Sequence, residues 1–372
     1  MVHPRLCTEL CELALLLRQS RFVLGLTGPN VDCSLIMSTE PVPTIILFHY
    51  YWSPYAHKIS WYLQLRGIPY KQCIQPPIMP RPDLASLGIK YRRTPLLSIG
   101  NEVLCDTSLI IRVLEERFPD GRLGERGGEW EEWEAWSDRM FPYAVALIPS
   151  DLPSMKDERF VKDREDFSGR AGSPLFKKED VDAGRERALE KIRGLYGHIE
   201  EVLSDGRYWI LGNKMSLADL ESIWLPEWLT TLPGALDSAV TADTHPKTFS
   251  WIKRFTALLP APKSVKIPTI KGAEAKDIIL DHEQVSTSPG TDIGAPDNDP
   301  SGIALGEEVE VTPVDTGKNH PQRGRVRALG KDRIIIEVTP TGAHVGSGSL
   351  KVVFPRKGFE IKSLGTEGNA RL

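Results

Sequence analysis

At 372 residues the chain has room for two or three domains, and its 41% hydrophobic and 26% charged content excludes disorder throughout. A net charge of −4 gives no reason to expect broad attraction to nucleic acid or to membrane surfaces. No apolar run approaches the roughly 20 residues that a bilayer-spanning helix needs.

Residues 1–36 read as a processing segment or an upstream extension, and both readings stay open. LCELALLL (10–17) is apolar but short, and Glu9 and Glu12 stand where a secretory signal carries positive charge. Arg5, Arg18 and Arg21 keep a mitochondrial presequence conceivable, against which the two acids argue. An N-terminal extension outside the fold is therefore expected over 1–40. Five cysteines (Cys7, Cys11, Cys33, Cys73 and Cys105) are odd in number and lack paired metal-site spacing, which fits a reducing compartment better than a disulfide framework.

TIILFHY (44–50) is an apolar run of strand length, and SPYAHKISWYLQL (53–65) follows it as a helix. Ser53 stands at the N-cap and Pro54 at the first helical position, Ile59, Tyr62 and Leu63 make one apolar face, and Gly67 closes the segment. A hydroxyl at that N-terminus has free peptide N–H groups and the positive end of the helix dipole close by. It is a place to hold a thiolate or another anion, or it is only a cap. YKQCIQ (70–75) reads as a strand and PPIMPRP (76–82) as an irregular loop. TPLLSIG and NEVLCD (94–106) read as a hairpin turning at Gly100–Asn101, and TSLIIRVLEERF (107–118) as a helix stopped at Pro119. Together these elements predict one small α/β domain over 41–121.

Residues 122–262 read as an all-helical domain. Trp130, Trp133 and Trp136 form a helical stripe, which reads as core or interface. VDAGRERALEKIRGLYGHIEEVL (181–203) is amphipathic, Ser216 and Asp219 make a capping box, and HPKTFSWIKRFTALLP (245–260) supplies a last helix. The segment 149–180 interrupts this pattern. A linker is expected over 263–302, where DHEQVSTSPGTDIGAPDNDPSG has little to bury. Over 303–372 the apolar period changes to two, with strands at 306–314, 323–329, 332–339 and 349–355, which predicts a small all-β barrel of SH3-like or Tudor-like kind. Arg323, Arg325, Arg327, Lys351, Arg356 and Lys357 make it locally basic; solvated strand faces account for that, and no stacking-aromatic pattern supports nucleic-acid binding.

In this order and at these spacings, the motifs SPYAHK (53–58), RRTPLL (92–97), CDTSLIIRVLEERFP (105–119) and SLADL (216–220) resemble the cytosolic glutathione transferase family over about 44–260. The resemblance implies an α/β thioredoxin-like N-terminal domain followed by an all-α one. With its linker and β domain the whole chain is similar to a group of fungal transferase-like proteins. The implied activity is conjugation of the glutathione thiolate to small hydrophobic electrophiles, a detoxification chemistry. Glutathione would be a co-substrate, with no cofactor and no metal, in a cytoplasmic homodimer.

Residue by residue, Ser53 takes the place of the thiolate-stabilising hydroxyl, with Tyr50 and Tyr51 at the strand end as alternative donors. Thr94 and Pro95 match the segment that bears a cis proline, whose exposed backbone edge pairs with an extended tripeptide. Arg93 stands where several classes have a base near the tripeptide. Asp106 and Thr107 match positions that hold the γ-glutamyl end: an acid faces the ammonium, while the helix N-terminus and a hydroxyl receive the carboxylate. Without the family, Asp106 and Thr107 are a cap and a first-turn residue, Pro95 is a trans turn proline and Arg93 a solvated charge. His57 and Lys58 read as exposed. The absence of cysteine at 53 and 56 argues against disulfide exchange. The alternative is a catalytically weak or inactive glutathione-binding regulatory protein whose β-barrel recruits a protein partner, since a fold does not fix a chemistry.

Overall fold

A computed structural model describes residues 43–124, 128–169, 178–261, 264, 266–281, 299–342 and 348–365. The extension expected over 1–40, with Cys7, Cys11 and Cys33, lies outside the described residues. The first layer runs β1 (Ile45–His49), α1 (Pro54–Leu65), β2 (Lys71–Ile74), α2 (Pro82–Ser86), β3 (Leu96–Ile99), β4 (Glu102–Cys105) and α3 (Thr107–Arg117). β1 pairs parallel with β2 and antiparallel with β3, which pairs antiparallel with β4, the thioredoxin-like arrangement. α1 ends as its sequence predicts. Gly67 takes φ +60°, a region that costs glycine nothing, and Ile68 N–H reaches back to Leu63 O at 2.9 Å.

Every residue of β1 is buried, as a strand covered on both faces requires. Ile45 and Leu47 enter a core shared with the helices, whereas Ile46 and Phe48 enter a second core on the opposite face. The helical domain comprises α4 (Glu129–Val145), α5 (Pro153–Lys156), α6 (Glu158–Ser168), α7 (Lys178–Val202), α8 (Leu217–Thr230) and α9 (Pro246–Thr256), of which α4, α7, α8 and α9 pack on the first of these cores. Asp219, at the start of α8, accepts from Ser216 N–H (3.0 Å), Ile210 N–H (2.9 Å) and Trp251 Nε1–H (2.9 Å). The capping box therefore ties three segments together. Trp130, Trp133 and Trp136 pack partly buried against the helical core, as a stripe of that spacing should.

The C-terminal strands β5 (Glu308–Pro313), β6 (Gln322–Leu329), β7 (Arg333–Val338), β8 (Leu350–Pro355) and β9 (Phe359–Ser363) differ from the barrel expected from sequence. They do not close on themselves. Instead they extend the first sheet into one of nine strands, in the order β2-β1-β3-β4-β8-β7-β6-β5-β9. The junction is a parallel pairing of β4 with β8, in the register Glu102↔Lys351, Val103↔Val352 and Leu104↔Val353. Alternation continues across it, because Val352 joins Val103 in the second core while Val353 joins Leu104 in the first. Lys351 Nζ lies 3.8 Å from the buried carboxylate of Glu102. The physical reason is that β4 is an apolar strand whose outer edge would otherwise be bare, and KVVF of β8 is apolar on both faces.

The stretch 263–302 holds more than linker. Gln72 N–H donates to Pro268 O and Ile270 N–H to Gln72 O, each at 2.9 Å, which covers the outer edge of β2. α10 (Gly272–Asp281) then buries Ala275 and Ile279 in the second core. At Gly272 a Cβ would stand 2.1 Å from the Asp83 carboxylate, so only glycine permits that approach of α10 to α2. Residues 282–298 lie outside the described residues.

Candidate functional site

Strand register brings three predicted segments to one end of the sheet. Phe48 lies opposite Leu96, and Leu96 opposite Cys105. The residues that follow β1, precede β3 and follow β4 therefore emerge side by side. They are Tyr50–Ser53, Arg93–Pro95 and Asp106–Thr107.

Ser53 caps α1. Its backbone is extended (φ −80°, ψ 119°), its side chain is 2% exposed, and Oγ accepts from Ala56 N–H at 3.3 Å. Because the cap uses a lone pair, the hydroxyl proton remains free to donate. Tyr50 is half-buried and Tyr51 exposed; Tyr51 OH accepts from Gln72 Nε2 at 3.4 Å. His57 is half-buried, its Nε2 2.6 Å from Tyr51 O. Lys58 is not exposed as expected: it is 1% accessible and inserts between α1 and α8 to meet Glu221. Helical geometry explains the difference, since positions 58, 59 and 62 share the face that packs on the helical domain.

The Thr94–Pro95 peptide bond is cis, as is Met79–Pro80. Arg93 is neither solvated nor free. Its guanidinium pairs with Asp315, donates to Thr316 O at 2.7 Å and lies 6.0 Å from the Phe359 ring, all in the C-terminal region. Arg92 beside it is buried, pairs with Asp163 at 2.9 Å and also meets Asp166, whose carboxylate accepts from His320 Nε2 at 2.9 Å. α6, within the interruption at 149–180, is thus fastened to both the RRTP segment and the C-terminal loops. Phe160 of α6 stands 5.7 Å from the exposed Trp52 ring, next to Ser53.

Asp106 adopts φ +79°, ψ 133°, a conformation that costs a non-glycine residue about 1–3 kcal/mol and clusters at functional sites. Its carboxylate accepts from Ser108 N–H at 2.9 Å. Burial pushes its pKa up to about 6, against the pull of Lys58 and Arg93. Thr107 follows, buried at the first turn of α3. Sequence reasoning missed four neighbours. Tyr55 OH donates to Asp138 Oδ1 of α4 at 3.3 Å. Asp138 is open to water, and the protein around it holds its carboxyl above the usual range. The charge of Lys58 opposes that shift, joined by that of Lys357 in the C-terminal region. Tyr91, 2% exposed, has a buried hydroxyl without a partner among the described residues. Tyr55 lies within SPYAHK without a role of its own there, Tyr91 sits just before RRTPLL, and Asp138 and Lys357 are remote in sequence.

A glutathione S-transferase N-terminal domain model matches residues 47–125, and a domain of unknown function (DUF7962) matches 143–264. A probable glutathione S-transferase of Nicotiana tabacum is 20% identical over 212 residues, 55% of this chain and 80% of the relative. A GST-like protein of Pseudomonas syringae, known from its crystal structure, is 25% identical with a TM-score of 0.63, over 86% of this chain and 99% of that one. Residues 47–125 are a glutathione S-transferase N-terminal domain. The share aligned with the Pseudomonas protein is larger than residues 43–262 could supply, so that likeness reaches into the C-terminal strands. Here those strands are joined to the thioredoxin-like layer through β4.

A cleft of about 430 Å³ lies elsewhere, between Met79–Tyr91 and Asn319–Arg323, and is lined by none of Tyr50–Ser53, Arg93–Pro95 or Asp106–Thr107. Of its basic side chains, Arg81 is engaged with backbone carbonyls, His320 with Asp166 and Arg323 with Glu310, whereas exposed Lys90 makes no ion pair among the described residues. No described helix is long and apolar enough to cross a membrane, and no described cluster of His, Cys, Asp or Glu could hold a metal ion.

Proposed function

We propose that this chain binds glutathione at the end of the sheet where Ser53, Thr94–Pro95 and Asp106–Thr107 converge, and conjugates its thiolate to small hydrophobic electrophiles. The observation that carries the reading is that convergence, with a buried N-cap hydroxyl whose proton is free to donate. Thr94 offers backbone to the tripeptide, Asp106 faces the γ-glutamyl ammonium, and Thr107 with the α3 N-terminus receives the α-carboxylate. Ser53 O–H donates to the sulfur. A free thiol has a pKa of about 8.5, so stabilising the thiolate by about 1.4 kcal/mol raises its share at neutral pH roughly tenfold. One charged hydrogen bond at a helix N-terminus is of that size. The thiol proton leaves to water, sulfur forms a bond to the electrophilic carbon, and a leaving group departs with its electron pair. The protein supplies position and field and forms no covalent bond. Trp52, close to Phe160, supplies an exposed aromatic surface for an apolar acceptor.

The second reading, binding without turnover, is favoured by the engagement of Arg93 with Asp315 and Thr316, which removes a free cation from the tripeptide's path. Retention on immobilised glutathione, followed by turnover of an aryl halide by the chain and by Ser53→Ala, separates the two. Turnover that falls at least tenfold in the variant supports conjugation. Retention without turnover supports binding alone, and absence of retention overturns both.

A further inference from the structure

The C-terminal region touches this site at a place that the two-domain layout leaves open. The parallel β4–β8 pairing runs to Leu104↔Val353, so the turn after β8 leaves the sheet at the same end as Asp106 and the N-terminus of α3. The turn is held firmly. Gly358 O accepts from Val314 N–H at 3.0 Å, Arg356 Nε–H donates to Gly330 O at 3.0 Å, and Arg356 also meets Asp299. Phe354 and Phe359, on either side of the turn, pack on Tyr91 at 5.4 and 5.9 Å. Arg356 is therefore consumed by structure, whereas exposed Lys357 makes no ion pair among the described residues.

We propose that the β8–β9 turn completes the glutathione site from within the same chain, with Lys357 as the group that holds the α-carboxylate of the γ-glutamyl residue. The inference rests on the glutathione reading above. The γ-glutamyl end is a zwitterion, one ammonium and one carboxylate. Around Asp106 and Thr107 the chain gathers the acids Asp106 and Asp138 and three cations, Lys58, Arg93 and Lys357, of which Lys58 is buried against Glu221. Arg93 is already neutralised by Asp315. That leaves Lys357 as the cation free for the carboxylate, with the acids facing the ammonium. The effect of Lys357 on the Asp138 carboxyl, across from α4, agrees with this placement. Tyr91, wedged between the turn's two phenylalanines and influenced by Arg93 and Asp106, positions the turn and does not contact ligand.

Calorimetric titration of the full chain with glutathione, and separately with cysteinylglycine, tests the assignment, because the dipeptide lacks the γ-glutamyl group. Lys357→Ala should weaken glutathione binding roughly tenfold and leave the dipeptide's affinity unchanged, and Lys357→Arg should restore most of the loss. Equal weakening for both ligands would mean a structural role and overturn the assignment. So would glutathione binding unaltered in Lys357→Ala, which leaves the glutathione reading intact. Failure of the unaltered chain to bind glutathione overturns both.

Discussion

Lys58 Nζ and Glu221 Oε2 lie 2.7 Å apart with their side chains 1% and 0% exposed, so a buried ion pair joins α1 to α8 directly behind the Ser53 cap. Burial alone would strip the proton from Lys58; the charge of Glu221, aided by Asp138 and Glu134, overrides it and keeps the ammonium. Glu221 is pushed up by burial and pulled back by Lys58. Lys58→Met would leave that carboxylate unpaired, at a cost of about 3–5 kcal/mol, whereas Lys58→Met with Glu221→Leu should recover most of the stability. Urea unfolding followed by tryptophan fluorescence reads both. A double variant as unstable as the single one would deny the pair its role.

The continuous sheet predicts that the C-terminal strands and the thioredoxin-like layer unfold together. Val352 is fully buried opposite Val103, so Val352→Asp should destabilise the whole chain by about 3 kcal/mol or more. One transition should remain, detected alike by tryptophan fluorescence and far-ultraviolet dichroism. Two separated transitions would show that the β strands are an independent unit.

Asp106 sets an expected pH dependence of glutathione binding. Burial holds its carboxyl near pKa 6, and only the ionised form attracts an ammonium. The contribution of Asp106 to affinity should therefore be constant above pH 7 and fall by up to about tenfold per pH unit below 6. Asp106→Asn should bind weakly at every pH and lose that slope, which titration between pH 5 and 8 would reveal.

Glu227 predicts an effect on stability and not on binding. One of its carboxylate oxygens is buried without a partner, and burial alone raises its pKa to about 7. A raised carboxyl pKa means the folded chain holds a proton that the unfolded chain has lost, so this group's contribution falls as pH rises from about 4.5 to 7. Above pH 7 the ionised group opposes folding by up to about 3 kcal/mol. Glu227→Gln should raise the melting temperature at pH 8 and change it little at pH 4.5. A pH-independent shift would assign the effect to packing.

Local sequence determined much of this protein. Ser53, Pro54 and Gly67 define α1 through capping and backbone freedom, and the alternation of β1, β3 and β4 assigns each side chain to a face. Ser216 and Asp219 start α8. These are short-range rules, in which neighbours a few residues apart decide the outcome. The partners across long separations were decided only by tertiary structure. KVVF at 351–354 reads equally well as a barrel strand or as a partner for β4, since both satisfy its period of two; the bare edge of β4, some 250 residues earlier, selects the second. Residues 266–281 look like linker until Gln72 and Asp83 give them an edge and a helix to cover. Lys58 reads as a surface charge because its counter-ion, Glu221, belongs to another domain. For the same reason Lys357 carried no signal of its own: a charged turn residue becomes a site candidate only when the sheet brings its turn to the same end as Asp106.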